Sequence, residues 1–283
     1  MATAKKRPEW GAIERRFNAV YAIAVLFFLM APLIVIIPLS FNAEPYFSFT
    51  SKMLTLNPEG FSLRWYQDII DNPQWLQAIG NSLIIAICAT ALSTVLGTSA
   101  ALGLARSNMP FRDLIMAILI SPLVVPIVIA GAGMYFFYSS IGLAQTHLGI
   151  ILAHTTLGTP FVVITMTATL SGFDRNLIKA ASSLGADPMT TFVRVTLPLV
   201  APGMISGALF AFAASFDEVV TVLFLGGPDQ RTIPRQMWSG IREQISPTIL
   251  AVAVLLIIVS SLLLLTVERL RRRHTPLATA AKA

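Results

Sequence analysis

The chain has 283 residues, 55% of them hydrophobic and 12% charged, with a net charge of +6 and a mean hydropathy of +0.74; a soluble domain of this length does not need so much apolar surface, and a bilayer is its natural solvent. Its Lys and Arg residues sit at chain ends and short connections, not along one amphipathic face, which sets nucleic acid aside as a partner and marks them as topology signals. The single cysteine, Cys88, lies in an apolar run, so this chain builds neither a disulfide framework nor a thiolate metal site of its own.

Lys5, Lys6, Arg7, Arg15 and Arg16 precede an apolar stretch from Phe17 to Leu39. That stretch is too long for the core of a secretory signal and long enough to cross a bilayer, so it is predicted to be an uncleaved first span. Five further stretches meet the requirement of roughly 20 apolar residues: Leu76 to Ala105, Leu114 to Tyr138, Gly149 to Leu170, Leu199 to Leu225 and Thr248 to Val267. The expected fold class is an all-α membrane protein with about six transmembrane helices, forming one transmembrane domain over residues 1–283. Turn signals at Asn57-Pro58-Glu59-Gly60 and Asn72-Pro73 punctuate the long first connection. Placing both termini in the cytoplasm puts fifteen of the 20 Lys and Arg residues on that side and five, Lys52, Arg64, Arg231, Arg235 and Arg242, on the other.

No His-Glu-x-x-His, Gly-x-Ser-x-Gly or Gly-x4-Gly-Lys-Ser/Thr motif is present, so no catalytic residue, metal site or cofactor is expected in this chain. His147 and His154 are seven residues apart on one helix flank and His274 lies in the tail, which reads as interfacial or helix-contact duty. The third stretch is dense in breakers, Ser121-Pro122-Leu-Val-Val-Pro126 and Gly131-Ala-Gly133, which mark either a cavity-lining segment or a simple kink.

Two acids interrupt the fifth stretch, in Ser215-Phe216-Asp217-Glu218-Val-Val. On a continuous helix they share a face of about 120° with Gly203, Gly207, Ala211 and Ala214, and small residues at four-residue spacing let helices approach closely in lipid. Three readings fit: Asp217 and Glu218 attract a cationic solute, they pair with a basic residue of a neighbouring subunit, or the span ends early and they are wetted end residues.

The segment 175–198 reads Arg-Asn-Leu-Ile-Lys-Ala-Ala-Ser-Ser-Leu-Gly-Ala-Asp-Pro-Met-Thr-Thr-Phe-Val-Arg-Val-Thr-Leu-Pro. Leu177, Ile178, Ala181 and Leu184 form a short apolar helix face, Gly185 allows a sharp turn, and Asp187-Pro188 starts a second helix. A generic amphipathic loop on the membrane surface would share these features. The spacing resembles the Glu-Ala-Ala-x3-Gly-x9-Ile-x-Leu-Pro loop of permease subunits in binding-protein-dependent ABC importers. Ala180, Ala181, Gly185, Leu197 and Pro198 match it in register, Val195 stands for isoleucine, and Lys179 replaces the glutamate.

The resemblance implies a type I importer fold in the bacterial inner membrane. In that fold Ile178, Lys179, Ala180, Ala181, Leu184, Gly185, Ala186, Asp187, Leu197 and Pro198 form a coupling segment seated on a cytoplasmic ATPase dimer, which binds the ATP and Mg that this chain does not. Further partners would be a second homologous permease, as a heterodimer, and a periplasmic substrate-binding protein. Phe61-Ser-Leu-Arg-Trp65-Tyr66, Ser215 to Val220, Gly226-Gly-Pro and Thr232 to Ile249 are similar to the spermidine/putrescine type, in its C-type permease. That similarity implies a polyamine pathway including Phe216, Asp217, Glu218 and Trp238. An opine or amino-acid derivative as cargo, or a scaffold subunit without a pathway, are the alternatives.

Overall fold

The computed structural model describes residues 10–106, 109–243 and 246–273; Lys5, Lys6, Arg7, His274 and Lys282 lie outside them. Among the described residues, thirteen α-helices follow in order: α1 (Trp10–Leu39), α2 (Ser51–Leu54), α3 (Arg64–Asp71), α4 (Pro73–Leu104), α5 (Arg112–Val124), α6 (Ile127–Ser140), α7 (His147–Ser171), α8 (Asn176–Ser183), α9 (Pro188–Thr191), α10 (Leu197–Phe216), α11 (Val220–Leu225), α12 (Ile233–Glu243) and α13 (Thr248–Arg273). The one β element among these residues is an isolated antiparallel bridge between Asn42 and Phe61.

The chain divides into two compact units, residues 1–69 with 245–257 and residues 70–244 with 258–283. In the first, α1 leaves Phe17, Tyr21, Leu26, Phe27 and Phe28 exposed on all sides, as a helix solvated by lipid does. The connection after it is tied by polar contacts: Trp65 Nε1 donates to Asn42 O at 2.7 Å, and Asn42 Nδ2 donates to the carbonyls of Tyr46 and Ser48 at 3.0 Å. Thr248 Oγ1 donates to Asp68 Oδ2 at 2.7 Å, fastening the start of α13 to α3.

The second unit is built on α4, α7 and α10. Ser93 Oγ donates to Thr155 O at 3.1 Å, and a Cβ on Gly97 would lie 2.6 Å from Val162 Cβ. These contacts pair rising numbers with rising numbers, so α4 and α7 run parallel. On the other flank of α7, a Cβ on Gly203 would meet Thr169 Oγ1, one on Gly207 would meet Thr165 Oγ1, and one on Gly158 would lie 3.2 Å from Ala211 Cβ. Falling numbers now pair with rising ones, so α10 is antiparallel to α7. Gly203, Gly207, Ala211 and Ser215 are the buried stripe of α10, which is the close small-residue packing that lipid favours because apolar burial alone gives helices no preference for one another.

Among the described residues, five helices are long and apolar enough to cross a membrane, and α5 with α6 makes a sixth crossing as a pair bent by 103°. The parallel course of α4 and α7 requires that crossing, since the chain between them must return to the end from which α4 started. The breakers expected to disturb the third span do so at Pro126: it lacks the N–H that would continue the ladder, Val125 turns extended, and the helix breaks there. Gly131 instead serves packing, with the ring of Phe224 2.9 Å from where its Cβ would be.

The expected fifth span is also corrected. α10 stops at Phe216, residues 217–219 are non-helical, and α11 restarts at Val220.

Candidate functional site

The segment 174–198 forms a helical hairpin whose caps are written in its sequence. Asp174 Oδ1 accepts the Asn176 N–H at 2.9 Å, opening α8. At its end the Gly185 N–H donates to Ser182 O at 3.0 Å and the Ala186 N–H to Ala181 O at 3.1 Å. This double closure places Gly185 in the left-handed region at φ +84, where a side chain would be strained. Asp187 then caps α9, its Oδ1 accepting the Thr190 N–H at 3.3 Å, with Pro188 at the first helical position. Hydrogen bonding from Thr190, side chain first, holds the Asp187 carboxyl below its ordinary range.

A single π-helical turn, Phe192–Thr196, joins α9 to α10, the Leu197 N–H donating back to Phe192 O. π-turns of this kind insert one residue into a helix without breaking its ladder. The second arm of the hairpin is thus continuous with the transmembrane helix that begins at Leu197-Pro198. The hairpin's outer surface is apolar at the tip: Leu184 is 88% exposed and Met189 68%, with Leu177 and Ile178 also exposed. Ala181 and Ala186 are partly covered, while Ala180 and Lys179 are open to solvent.

At the opposite end of the same bundle, Asn81 of α4 organises a polar cluster. Its Nδ2 donates to Asp229 O at 2.7 Å and Arg231 O at 2.9 Å. With both amide hydrogens used, its Oδ1 acts as acceptor for His147 Nε2 at 2.9 Å, so His147 carries its hydrogen on Nε2. Ser82 Oγ accepts the Ile233 N–H at 2.8 Å, and Gln236 Nε2 donates to Gln74 Oε1 at 3.2 Å. Arg235 Nη1 donates to Gly227 O at 2.6 Å; burial, then the charge of Arg231, lowers the pKa of its guanidinium. The segment 226–243 is thereby clamped onto the start of α4.

The sequence-predicted pathway residues occupy this end too, but the structure does not join them. Asp217 caps the end of α10 and is exposed. Glu218 is half-buried, and its Oε1 accepts the Thr221 N–H at 2.9 Å, opening α11. Phe216 stacks on Phe212, with ring centroids 5.4 Å apart. Trp238 is 47% exposed on α12, and among the described residues no hydrogen bond links it to either acid. The shared face predicted for both acids is corrected: the stripe ends at Ser215, and Glu218 lies beyond the last helical residue.

Sequence reading gave His154 interfacial or helix-contact duty but did not find its partner in the pair beneath them. His154 is buried, its Nδ1 2.8 Å from Ser215 Oγ, while its Nε2 has no partner among the described residues. The pair joins α7 to α10 one residue before α10 ends. Asn81 was missed as well, although polar residues at 74, 77 and 81 on the rising edge of an apolar span carried a readable signal.

Residues 93–276 match the family described as binding-protein-dependent transport system inner membrane component. The chain is 35% identical over 241 residues to the putrescine transport system permease protein PotI of Escherichia coli (strain K12), covering 81% of this chain and 82% of that one. It is 27% identical over 263 residues to the spermidine/putrescine transport system permease protein PotC of the same organism, covering 93% and 97%. In fold it matches a bacterial ABC transporter involved in the import of the acidic polysaccharide alginate, with a TM-score of 0.69 at 14% identity over 96% of this chain and 100% of that one.

Proposed function

This chain belongs to the family of binding-protein-dependent transport system inner membrane components, and from that premise we propose that it is one of two permease subunits of an ATP-driven polyamine importer. The carrying observation is the hairpin 174–198, an apolar, mostly exposed tip held by its own caps and continuous with α10. Such a tip has the form of a part that seats in another protein.

On this reading residues 1–283 work as one permease domain with both termini in the cytoplasm, as the Lys and Arg distribution supports. Ile178 to Asp187 dock on the ATPase, and Leu197 and Pro198 pass its motion to α10. The ATPase dimer holds ATP and Mg and carries out hydrolysis. A second homologous permease completes the pathway, and a periplasmic binding protein delivers the solute against the end that carries 226–243, where Trp238 offers an exposed aromatic face.

The likeness to PotI and PotC supports a putrescine or spermidine cargo. An ammonium group leaving water needs negative or hydrogen-bonding partners, and Asp217, exposed at the end of α10, and Glu218 in the break beside it supply carboxylates there. The pathway then runs past the α10–α11 break. Phe216, beside the acids, adds an aromatic ring.

The test is uptake of labelled putrescine into vesicles containing this chain, its companion permease and the ATPase, with the binding protein added outside. ATP-dependent accumulation that requires this chain supports the proposal. Accumulation that continues without it contradicts it.

A further inference from the structure

The docking hairpin carries three cations and two acids, all exposed. Arg175, Lys179 and Arg194 are exposed, and among the described residues none of them takes part in an ion pair, the one salt bridge there joining Lys52 to Glu59. The two acids of the same segment are engaged in its architecture, Asp174 on the Asn176 N–H and Asp187 on the Thr190 N–H. The surface offered to a partner is therefore an apolar tip with three cations that have no ion-pair partner among the described residues and two exposed carboxylates tied to helix caps. Lys179, in the middle of α8 where the resembling loop has a glutamate, has no side-chain hydrogen bond among the described residues.

We infer that Lys179 is a specificity residue: the cleft that receives this hairpin carries a carboxylate opposite it, so this permease selects an ATPase of complementary charge. The inference rests on the importer reading above. An ammonium group brought into an interface without a partner is disfavoured, and like charges brought together there reject the wrong partner more strongly than a neutral residue does. Lys179→Gln then weakens association moderately, and Lys179→Glu weakens it further by setting two carboxylates face to face.

Two measurements on the complete complex test this. Association of the purified ATPase with the vesicle-embedded permease pair is expected to weaken about tenfold for Lys179→Glu at low salt, with the difference shrinking as salt rises. A carbodiimide, which joins an amine to a carboxylate in direct contact, is expected to give an amide between Lys179 and one acidic residue of the ATPase, located by peptide mapping. Equal or tighter association of Lys179→Glu, or the absence of any amide at Lys179 in the assembled complex, overturns the inference while leaving the importer reading in place. Failure of the parent chain itself to bind any ATPase overturns both.

Discussion

A Cβ added to Gly207 of α10 would sit 2.8 Å from the backbone Cα of Val162 on α7. That separation is too short for any side chain, and the obstacle is main chain, which cannot rotate away. The same helix pair closes on Thr169 through Gly203 and on Gly158 through Ala211, so the α7–α10 seam is set by four small residues in register.

Gly207→Leu therefore forces the two helices apart and should destabilise the bundle by about 2–3 kcal/mol, the scale of core overpacking. Thermal unfolding of the detergent-solubilised chain is the readout. Gly103→Ala is the control, because nothing lies within 4 Å of its would-be Cβ. Equal melting temperatures for the two variants would show that α10 does not pack as described.

Asn81→Leu removes the amide that serves two carbonyls and one histidine. The unpaired groups should cost about 1–3 kcal/mol where they stay buried, and hydrogen exchange should quicken in residues 226–236 while the 174–198 hairpin stays unchanged. Exchange that rises equally at both ends would point to global loosening instead of a released clamp.

Asp187 sets a pH dependence with a definite sign. Its carboxyl titrates below the ordinary value of 3.8 because Thr190 hydrogen-bonds the charged form. A depressed pKa contributes stability that is present above the unfolded value and lost as pH falls through the folded one. The start of α9 should therefore hold unchanged at neutral pH and loosen only in acid below that range. Asp187→Ala should loosen it at neutral pH as well, seen as faster exchange of the Thr190 amide; unaltered exchange would remove the cap from the account.

Glu218→Gln separates charge from structure, since a glutamine carbonyl still accepts the Thr221 N–H that Glu218 now accepts at 2.9 Å. Combined with Asp217→Asn, it should lower putrescine uptake about tenfold or more, the scale of a lost charge-assisted hydrogen bond, while the complex assembles normally. Undiminished uptake would reassign both acids to helix termination.

The membrane class was legible because an apolar run of bilayer length, such as Phe17 to Leu39, finds a matching solvent only in lipid. The hairpin was legible because caps are local: Gly185 and Asp187-Pro188 sit where the turn and the restart occur. The break after Phe216 was legible only as one of three readings of the acid pair. Asp217 and Glu218 lie between apolar residues on both sides, so hydropathy stays continuous while the helix stops. Pro122 and Pro126 pointed to a disturbed third span, yet a 103° turn depends on what packs around it. The pairs Asn81–His147 and His154–Ser215 need the parallel register of α4 with α7 and the antiparallel register of α7 with α10, and no single helix's periodicity contains that information.

The central claim is that the hairpin turning at Gly185 couples a partner's ATP hydrolysis to movement of solute through this chain. Its most direct test is ATP-driven putrescine uptake by the reconstituted complex carrying Gly185→Trp, which strains the turn and puts bulk at the docking tip, where open space now surrounds the glycine. The account predicts uptake abolished while the permease pair remains folded and in the membrane. Uptake at the parent's rate would contradict it.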